Sequence, residues 1–199
     1  MTPENMTSKP DVTLKSLAAV DLAKCLLRIS RVSAGTWQIL DAEVSSGTLE
    51  DALKHHDFKN SAAAVYLNLK DTAPLTLVMM FDPENTECIS KCFTGHSFPH
   101  GKSTTVAEEI MLTELGNIIL NALINSLLNA LKRSIMPAVP QYIEGDLQSI
   151  TGELGRVVDL KAGFRTLTVT IGIKSDNCLS TSKVFALFPE ELARELEQL

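Results

Sequence analysis

One apolar stretch, residues 105–133, has the sequence TVAEEIMLTELGNIILNALINSLLNALKR and decides the fold of this chain. Its start carries a capping box, because Thr105 and Glu108 are spaced so that each side chain satisfies a backbone N–H of the first turn. Apolar side chains then cover most of the helix circumference. They are interrupted by one polar stripe, formed by Glu114, Asn117, Asn121 and Asn125. The pattern predicts a long, mostly buried helix whose polar stripe needs its own explanation.

This stretch is apolar enough to be tested as a membrane span. Its most apolar part, residues 118–131, carries an Asn at every fourth position, namely Asn121, Asn125 and Asn129. Three amides are too many for a segment that faces hydrocarbon, where polar groups are costly. We therefore predict a helix of a protein core rather than a membrane span.

Composition and charge narrow the functional classes. The 199 residues are 45% hydrophobic, which is ample for a sizeable core, and the formal charge is −6. Basic residues are scattered and not interleaved with aromatics, which argues against a nucleic-acid surface. The first ten residues are polar and lack the pattern of a signal peptide, so a cytoplasmic protein is expected. Reduced thiols are expected for the four dispersed cysteines, Cys25, Cys88, Cys92 and Cys178.

The chain repeats one plan twice. A long helix is predicted at residues 13–32 and again from residue 105. Strands are predicted at 37–44, 62–69 and 75–81, and again at 141–147, 166–173 and 183–188, with a short helix at 48–56. The junction at residues 188–191, Phe-Pro-Glu-Glu, echoes Phe-Asp-Pro-Glu at residues 81–84, and each precedes a short amphipathic helix. Duplication is the preferred interpretation, and two unrelated halves that look alike by chance are the alternative.

The predicted class is α+β. Duplicated helix–strand–strand–strand–helix units with pseudo-twofold symmetry join into one antiparallel sheet, and the two long helices pack together on one face of it. Residues 1–11 are predicted to be a disordered lead-in. Residues 12–199 are predicted to be a single domain made of two related halves, about 12–103 and 104–199.

Glu114 and Asn117 are the candidate functional residues. They lie one turn apart and offer a charged acceptor beside a carboxamide that both donates and accepts hydrogen bonds. A structural interpretation competes, in which the polar stripe lies at a solvent-exposed edge or bonds across to a partner helix. That interpretation suits Asn125 and Asn129. Periodicity alone favours it for the whole stripe.

The residues around this pair resemble the signature of the CheC/CheX family of chemotaxis phosphatases. That signature is Asp or Ser, three residues, Glu, two residues, Asn, twenty-two residues and Pro. Glu114, Asn117 and Pro140 match it at the right spacing, whereas Ile110 stands where the family has Asp or Ser. The resemblance covers most of the chain, since these proteins are also built of two related halves.

CheC-type proteins often carry the Glu–Asn motif in both halves. In the first half of this chain the corresponding positions, aligned through Ser30, are Ser16 and Ala19, neither of which can perform the same chemistry. The resemblance therefore implies one active site per chain, in the second half.

The resemblance implies a mechanism. Family members remove phosphate from the aspartyl phosphate of CheY-like receiver domains, and the receiver supplies the Mg²⁺ and a lysine, so no cofactor of the chain's own is expected. Asn117 would hold the attacking water in line, and Glu114 would pair with the receiver's lysine. Gly116 and Asn121 are predicted to bind the partner, Gly116 by letting its backbone approach closely. Pro140 is predicted to shape the helix-to-strand turn.

Two alternatives stay open. The first is a non-catalytic protein of the same fold that binds a receiver, a CheD-like protein or a second copy of itself, as a monomer or a homodimer. The second is a metal site, because Cys88, Cys92, His96 and His100 recur at every fourth residue. Residues 97–99 break that helix, and structural zinc sites draw ligands from two separated segments, so no metal is predicted.

Overall fold

Six strands and six α-helices occur in the part of the chain that the computed structural model describes, which is residues 9–54, 56, 61–69, 74–98, 104–134, 139–176 and 178–197. The first half runs α1 (Lys9–Val32), β1 (Thr36–Gly47), α2 (Leu49–Leu53), β2 (Ala62–Leu69), β3 (Leu75–Phe81) and α3 (Thr86–Thr94). The second half runs α4 (Val106–Ala130), β4 (Gln141–Gly145), α5 (Leu147–Leu154), β5 (Phe164–Ser175), β6 (Cys178–Pro189) and α6 (Glu190–Glu197). Both halves therefore share one order of elements.

The strands form one antiparallel sheet in the order β1-β5-β6-β3-β2-β4. Exchanging each strand with its counterpart in the other half reverses this order and leaves it otherwise unchanged. The two edge strands pair across the halves, β1 with β5 and β4 with β2. The predicted α+β class, antiparallel sheet and pseudo-twofold symmetry are confirmed, and the halves interlock.

Helices cover both faces of the sheet. The larger core lies on the face that carries α1 and α4, and α3 and α6 also contribute to it. A smaller core on the opposite face is built by α2 and α5. The central strand β3 is buried along its whole length, as expected for a strand with neighbours on both edges and helices on both faces. The prediction that the two long helices pack on one face is confirmed.

Helix α5 is an element that the sequence prediction missed. The strand predicted at 141–147 ends at Gly145, and Asp146 then caps a helix by accepting a hydrogen bond from the Ser149 backbone N–H at 2.8 Å. Ile150 and Leu154, one turn apart, bury the apolar side of this helix against the sheet.

The N-terminal boundary also differs from the prediction. Helix α1 begins at Lys9, so residues 9–11 are helical and do not belong to a disordered lead-in. The other predicted lead-in residues, 1–8, lie outside the described residues.

Cys88 and Cys178 form a disulfide, which corrects the expectation of four reduced thiols. The bond joins α3 to the first residue of β6, across a sequence separation of 90 residues. Cys25 and Cys92 are free. Sequence spacing carries no information about a contact that the fold creates between residues so far apart.

Helix α4 has the length and apolar content of a membrane span, and it is the one helix in the described part of the chain that does. Its packing is that of a core helix. In its most apolar window, 56% of the residues are buried inside the protein, where α4 lies against α1 and strand β2.

Candidate functional site

The start of α4 is fixed by its capping box, as predicted. The Thr105 backbone N–H donates to Glu108 Oε2 at 2.6 Å, and the Glu108 N–H donates to Thr105 Oγ1 at 3.3 Å. Glu108 is buried, and its Oε2 accepts the hydrogen bond of this cap, whereas its Oε1 has no hydrogen-bond partner among the described residues. The cap sets where the helix begins and therefore which side chains its first turns present to solvent.

One side of the N-terminal half of α4 is open to solvent. Val106 and Ile110 are 72% and 64% exposed, Glu114 is exposed, and Asn117 is half-buried. At 3.6 residues per turn these four side chains fall within about 80° of arc, and we call them the α4 face. The sequence prediction identified Glu114 and Asn117 but overlooked Val106, whose spacing of four residues from Ile110 places it on the same stripe.

Asn117 and Asn121 are joined by two hydrogen bonds. Asn121 Nδ2 donates to the Asn117 side-chain Oδ1 at 2.6 Å and to the Asn117 backbone oxygen at 2.9 Å. The pair of bonds holds the Asn117 carboxamide with its oxygen toward Asn121. Its Nδ2 and one lone pair of Oδ1 stay available to a ligand. Asn121 is half-buried, and its predicted contact with a partner stays a prediction.

Glu114 has no hydrogen-bond or ion-pair partner among the described residues. Its side chain is exposed and lies one turn from Asn117 on the α4 face. An exposed, unpaired carboxylate is free to meet a cation that another molecule brings. Glu114 and Asn117 therefore present a charged acceptor and an oriented carboxamide side by side.

The prediction for Gly116 is corrected, because this residue faces the sheet and is buried. A Cβ placed on Gly116 would lie 2.7 Å from Cβ and Cγ1 of Val65 on β2. Gly116 directly precedes Asn117, so its Cα lies about 100° around the helix axis from the Cα of Asn117. The glycine allows α4 to approach its own sheet closely, and it does not lie where a partner would bind.

The remaining asparagines line a groove between α1 and α4. This groove has a volume of about 620 Å³, and Asn125 and Asn129 are exposed along it. Asp21 of α1 lies on the same groove, and hydrogen bonds from Lys24 and Ser126 lower its pKa. The structural interpretation of Asn125 and Asn129 as edge residues is confirmed.

The remaining positions named in the sequence analysis lie outside the α4 face. Pro140 is half-buried and directly precedes β4. Ser16 and Ala19, the expected first-half counterparts of the motif, are both exposed on α1. Among the four spaced residues of the rejected metal site, Cys88 is in the disulfide, His96 is exposed, and His100 lies outside the described residues.

Solved structures with the same architecture include FliY and a chain of a FliG–FliM complex. FliY from Thermotoga maritima matches with a TM-score of 0.71 at 11% identity, over 98% of this chain and 96% of that one. A chain of the FliG–FliM complex from H. pylori matches with a TM-score of 0.62 at 12% identity, over 98% of this chain and all of that one. Identities this low demonstrate the fold alone.

A chemotaxis protein also has this fold. A chain of the CheX–CheY–BeF3–Mg complex from Borrelia burgdorferi matches with a TM-score of 0.51 at 15% identity, over 89% of this chain and 96% of that one. No protein-family model matches the sequence, and no curated protein matches it. The resemblance indicated by Glu114, Asn117 and Pro140 is confirmed at the level of architecture: this chain has the CheC-like fold that CheX, FliM and FliY share.

Proposed function

We propose that the chain is a phosphatase that hydrolyses the aspartyl phosphate of a CheY-like receiver domain, in the cytoplasm and within a chemotaxis or other two-component signalling pathway. The observation that carries the proposal is the α4 face, where an exposed carboxylate stands one turn from a carboxamide held by its neighbour. An acyl phosphate needs little chemical activation, so the main task of such a phosphatase is to position water.

Asn117 is suited to position that water. One lone pair of its Oδ1 is taken by Asn121 at 2.6 Å, and the other accepts a hydrogen bond from a water molecule. The water then keeps an oxygen lone pair for attack on phosphorus. The Asn117 Nδ2–H₂ group is left to donate to a phosphoryl oxygen. The proton of the attacking water ends on the phosphate product, so Asn117 does not need to take it up and a carboxamide suffices.

Glu114 is suited to dock the partner. A lysine of the receiver would pair with this carboxylate, and the pair would lose water as the two surfaces close, which strengthens it relative to an exposed ion pair. The receiver would also bring the Mg²⁺ that neutralises charge on the phosphoryl group, so the chain would need no cofactor of its own. A CheX with this fold has been solved in complex with CheY, BeF3 and Mg²⁺.

Loss of the hydrogen bond to Asn117 should lower turnover with little effect on docking. In Asn121→Ala the Asn117 carboxamide would rotate freely. Loss of a hydrogen bond worth about 1.4 kcal/mol would raise the activation free energy by that amount and lower kcat about tenfold. KM for the phosphorylated receiver should stay within about twofold, since Glu114 and the apolar part of the α4 face are intact. Steady-state kinetics separate the two parameters, and a rise in KM at constant kcat would contradict a positioning role.

Docking on the α4 face is tested directly by hydrogen exchange. A receiver activated with beryllofluoride and Mg²⁺ should slow exchange in residues 106–121 and leave α5 and α2, on the opposite side of the sheet, unchanged. The unactivated receiver provides the control, and it should protect the same segment less. Protection confined to other elements would overturn the proposed site.

A non-catalytic interaction protein is the second candidate, and Ile110, which stands where the resembled signature has Asp or Ser, favours it. Val106 and Ile110 are both exposed. Two large apolar side chains on one helix face form a contact surface whether or not hydrolysis follows. The partner would be a receiver, a CheD-like protein or a second copy of this chain. Binding of an activated receiver without any increase in its dephosphorylation would support this candidate over the phosphatase.

A charge at position 110 should weaken docking in either case. Ile110→Lys places an ammonium group where the partner's apolar surface would lie, and we expect KM or Kd for the activated receiver to rise about tenfold, about 1.4 kcal/mol. Leu27→Lys is the matched control, because Leu27 is an apolar residue of α1 with similar exposure, 52%. Equal effects of the two substitutions would show that the α4 face is not the contact surface.

A further inference from the structure

Three of the four cysteines meet at the end of the sheet where α3 packs. Cys88 and Cys92 are one turn apart on α3, and Cys178 opens β6. Besides the Cys88–Cys178 disulfide, Cys92 Sγ lies 3.6 Å from Cys178 Sγ, and all three sulfur atoms lie within 4.8 Å of one another. We call Cys88, Cys92 and Cys178 the sulfur cluster.

The cluster is buried on one side and open on the other. Cys92 is fully buried and packs against Gly35, where an added Cβ would lie 2.6 Å from Cys92 Cβ. Cys88 and Cys178 line a surface pocket of about 570 Å³ together with Lys91 and His96. A small reductant in this pocket can therefore reach the Cys88–Cys178 disulfide. The thiol of Cys92 is buried next to that disulfide and does not line the pocket.

We propose that the reduced sulfur cluster is a zinc site in which Cys88, Cys92 and Cys178 bind one Zn²⁺ through their thiolates. A dithiol reductant supplies two electrons and two protons to the Cys88–Cys178 bond and becomes a disulfide itself. Zn²⁺ then replaces the protons of the three thiols, which are released to solvent. The disulfide and the zinc site are two states of the same three sulfur atoms.

Geometry supports zinc in this place. Tetrahedral coordination with Zn–S bonds of about 2.3 Å requires sulfur atoms about 3.8 Å apart. The Cys92–Cys178 separation of 3.6 Å is already close to this value, and reduction frees Cys88 and Cys178 to separate. The ligands come from two elements, α3 and β6, so the objection to a site on α3 alone does not apply. Three soft sulfur donors favour Zn²⁺ over Mg²⁺ or Ca²⁺.

The surroundings also suit a metal thiolate. Ser175 Oγ donates to Cys178 Sγ at 3.5 Å, a contact that persists with a thiolate. Three charged side chains also line the pocket, Lys91, Glu84 and Glu87. His96, a residue type that binds zinc, also lines this pocket.

The test compares the full chain in its two redox states. Protein reduced with excess dithiol and desalted without oxygen should bind one Zn²⁺ per chain by competition with a chromophoric chelator, and Co²⁺ should give the visible absorption of a tetrahedral thiolate complex. Protein oxidised to the disulfide should bind neither metal at the same concentrations. Absence of stoichiometric binding to the reduced chain would overturn the proposal.

Variants identify the ligands. Cys88→Ser and Cys92→Ser should each weaken Zn²⁺ binding at least about tenfold and change the Co²⁺ spectrum. Cys25→Ser, which removes the one cysteine outside the cluster, should bind as the wild type does. Circular dichroism checks that each variant is folded, and Cys88, which is only half-buried, keeps the test valid if Cys92→Ser unfolds. Unchanged affinity in both cluster variants would also overturn the proposal.

Discussion

Asn117→Ala should lower the turnover of a phosphorylated receiver by about a hundredfold or more while leaving its affinity nearly unchanged. The substitution removes the carboxamide that is proposed to hold the attacking water, and loss of positioning costs about two orders of magnitude in comparable reactions. Glu114 and Ile110 still meet the partner, so KM should change little. Release of phosphate from a receiver in excess over the chain provides the measurement.

The matched control for this substitution is Asn125→Ala. Asn125 is an exposed asparagine on the same helix, two turns further along, and it lines the groove between α1 and α4. Its removal should leave turnover within about twofold of the wild-type value, because it lies outside the proposed site. Equal rates for Asn117→Ala and the wild type would eliminate the assigned role of Asn117.

Gly116→Ala should destabilise the protein, although alanine is the better helix former. The added Cβ would lie 2.7 Å from Val65 on β2, and overpacking of a core costs about 1–3 kcal/mol. The gain in helix propensity returns at most about 1 kcal/mol. We expect a net loss in the free energy of unfolding, measured by urea denaturation, with α4 pushed away from the sheet.

Two further variants separate the steric clash with Val65 from the effect of alanine on helix propensity. Gly152 on α5 has nothing within 4 Å of its added Cβ, so Gly152→Ala should be neutral or stabilise by up to about 1 kcal/mol. Val65→Ala removes the contact with Cγ1 and keeps the contact with Cβ. The double variant Gly116→Ala, Val65→Ala should therefore recover part of the loss and be more stable than the two single effects predict. Strict additivity would mean that the contact with Val65 is not the source of the loss.

Local patterns predicted the elements whose signals lie within one turn or one strand. The capping box of Thr105 and Glu108 located the start of α4 because both partners are close in sequence. The predicted hairpin strands of each half pair as expected, because long runs of β-branched and apolar residues are typical of strands. Repetition of these patterns was enough to predict the symmetry of the sheet.

Features that depend on the orientation of an element were harder to predict. The direction of Gly116 depends on which side of α4 meets β2, and the sequence alone left that side open near the polar stripe. Gly116 lies on the same side of the helix as Leu112, Leu120 and Leu123, and this pattern could have predicted that it faces the core. Helix α5 was missed because eight residues that include Gly152 have weak helix propensity, and packing of Ile150 and Leu154 against the sheet outweighs it.

The spacing of residues in the sequence did not predict contacts between distant segments. Cys178 lies 90 residues from Cys88 and comes close to it only because β6 begins beside α3. The hydrogen bond between Asn121 and Asn117 is local, yet Asn125 follows Asn121 at the same spacing of four residues. Periodicity therefore did not distinguish the hydrogen-bonded pair from an exposed edge residue.

The central claim is that the α4 face accelerates hydrolysis of a receiver's aspartyl phosphate. Its most direct test follows the loss of phosphate from a panel of phosphorylated receiver domains, each with Mg²⁺, in the presence and absence of catalytic amounts of the wild-type chain. We expect at least one receiver to lose its phosphate faster with the chain than by its own decay, with multiple turnovers per chain. Decay at the intrinsic rate for every receiver in the panel would contradict the claim.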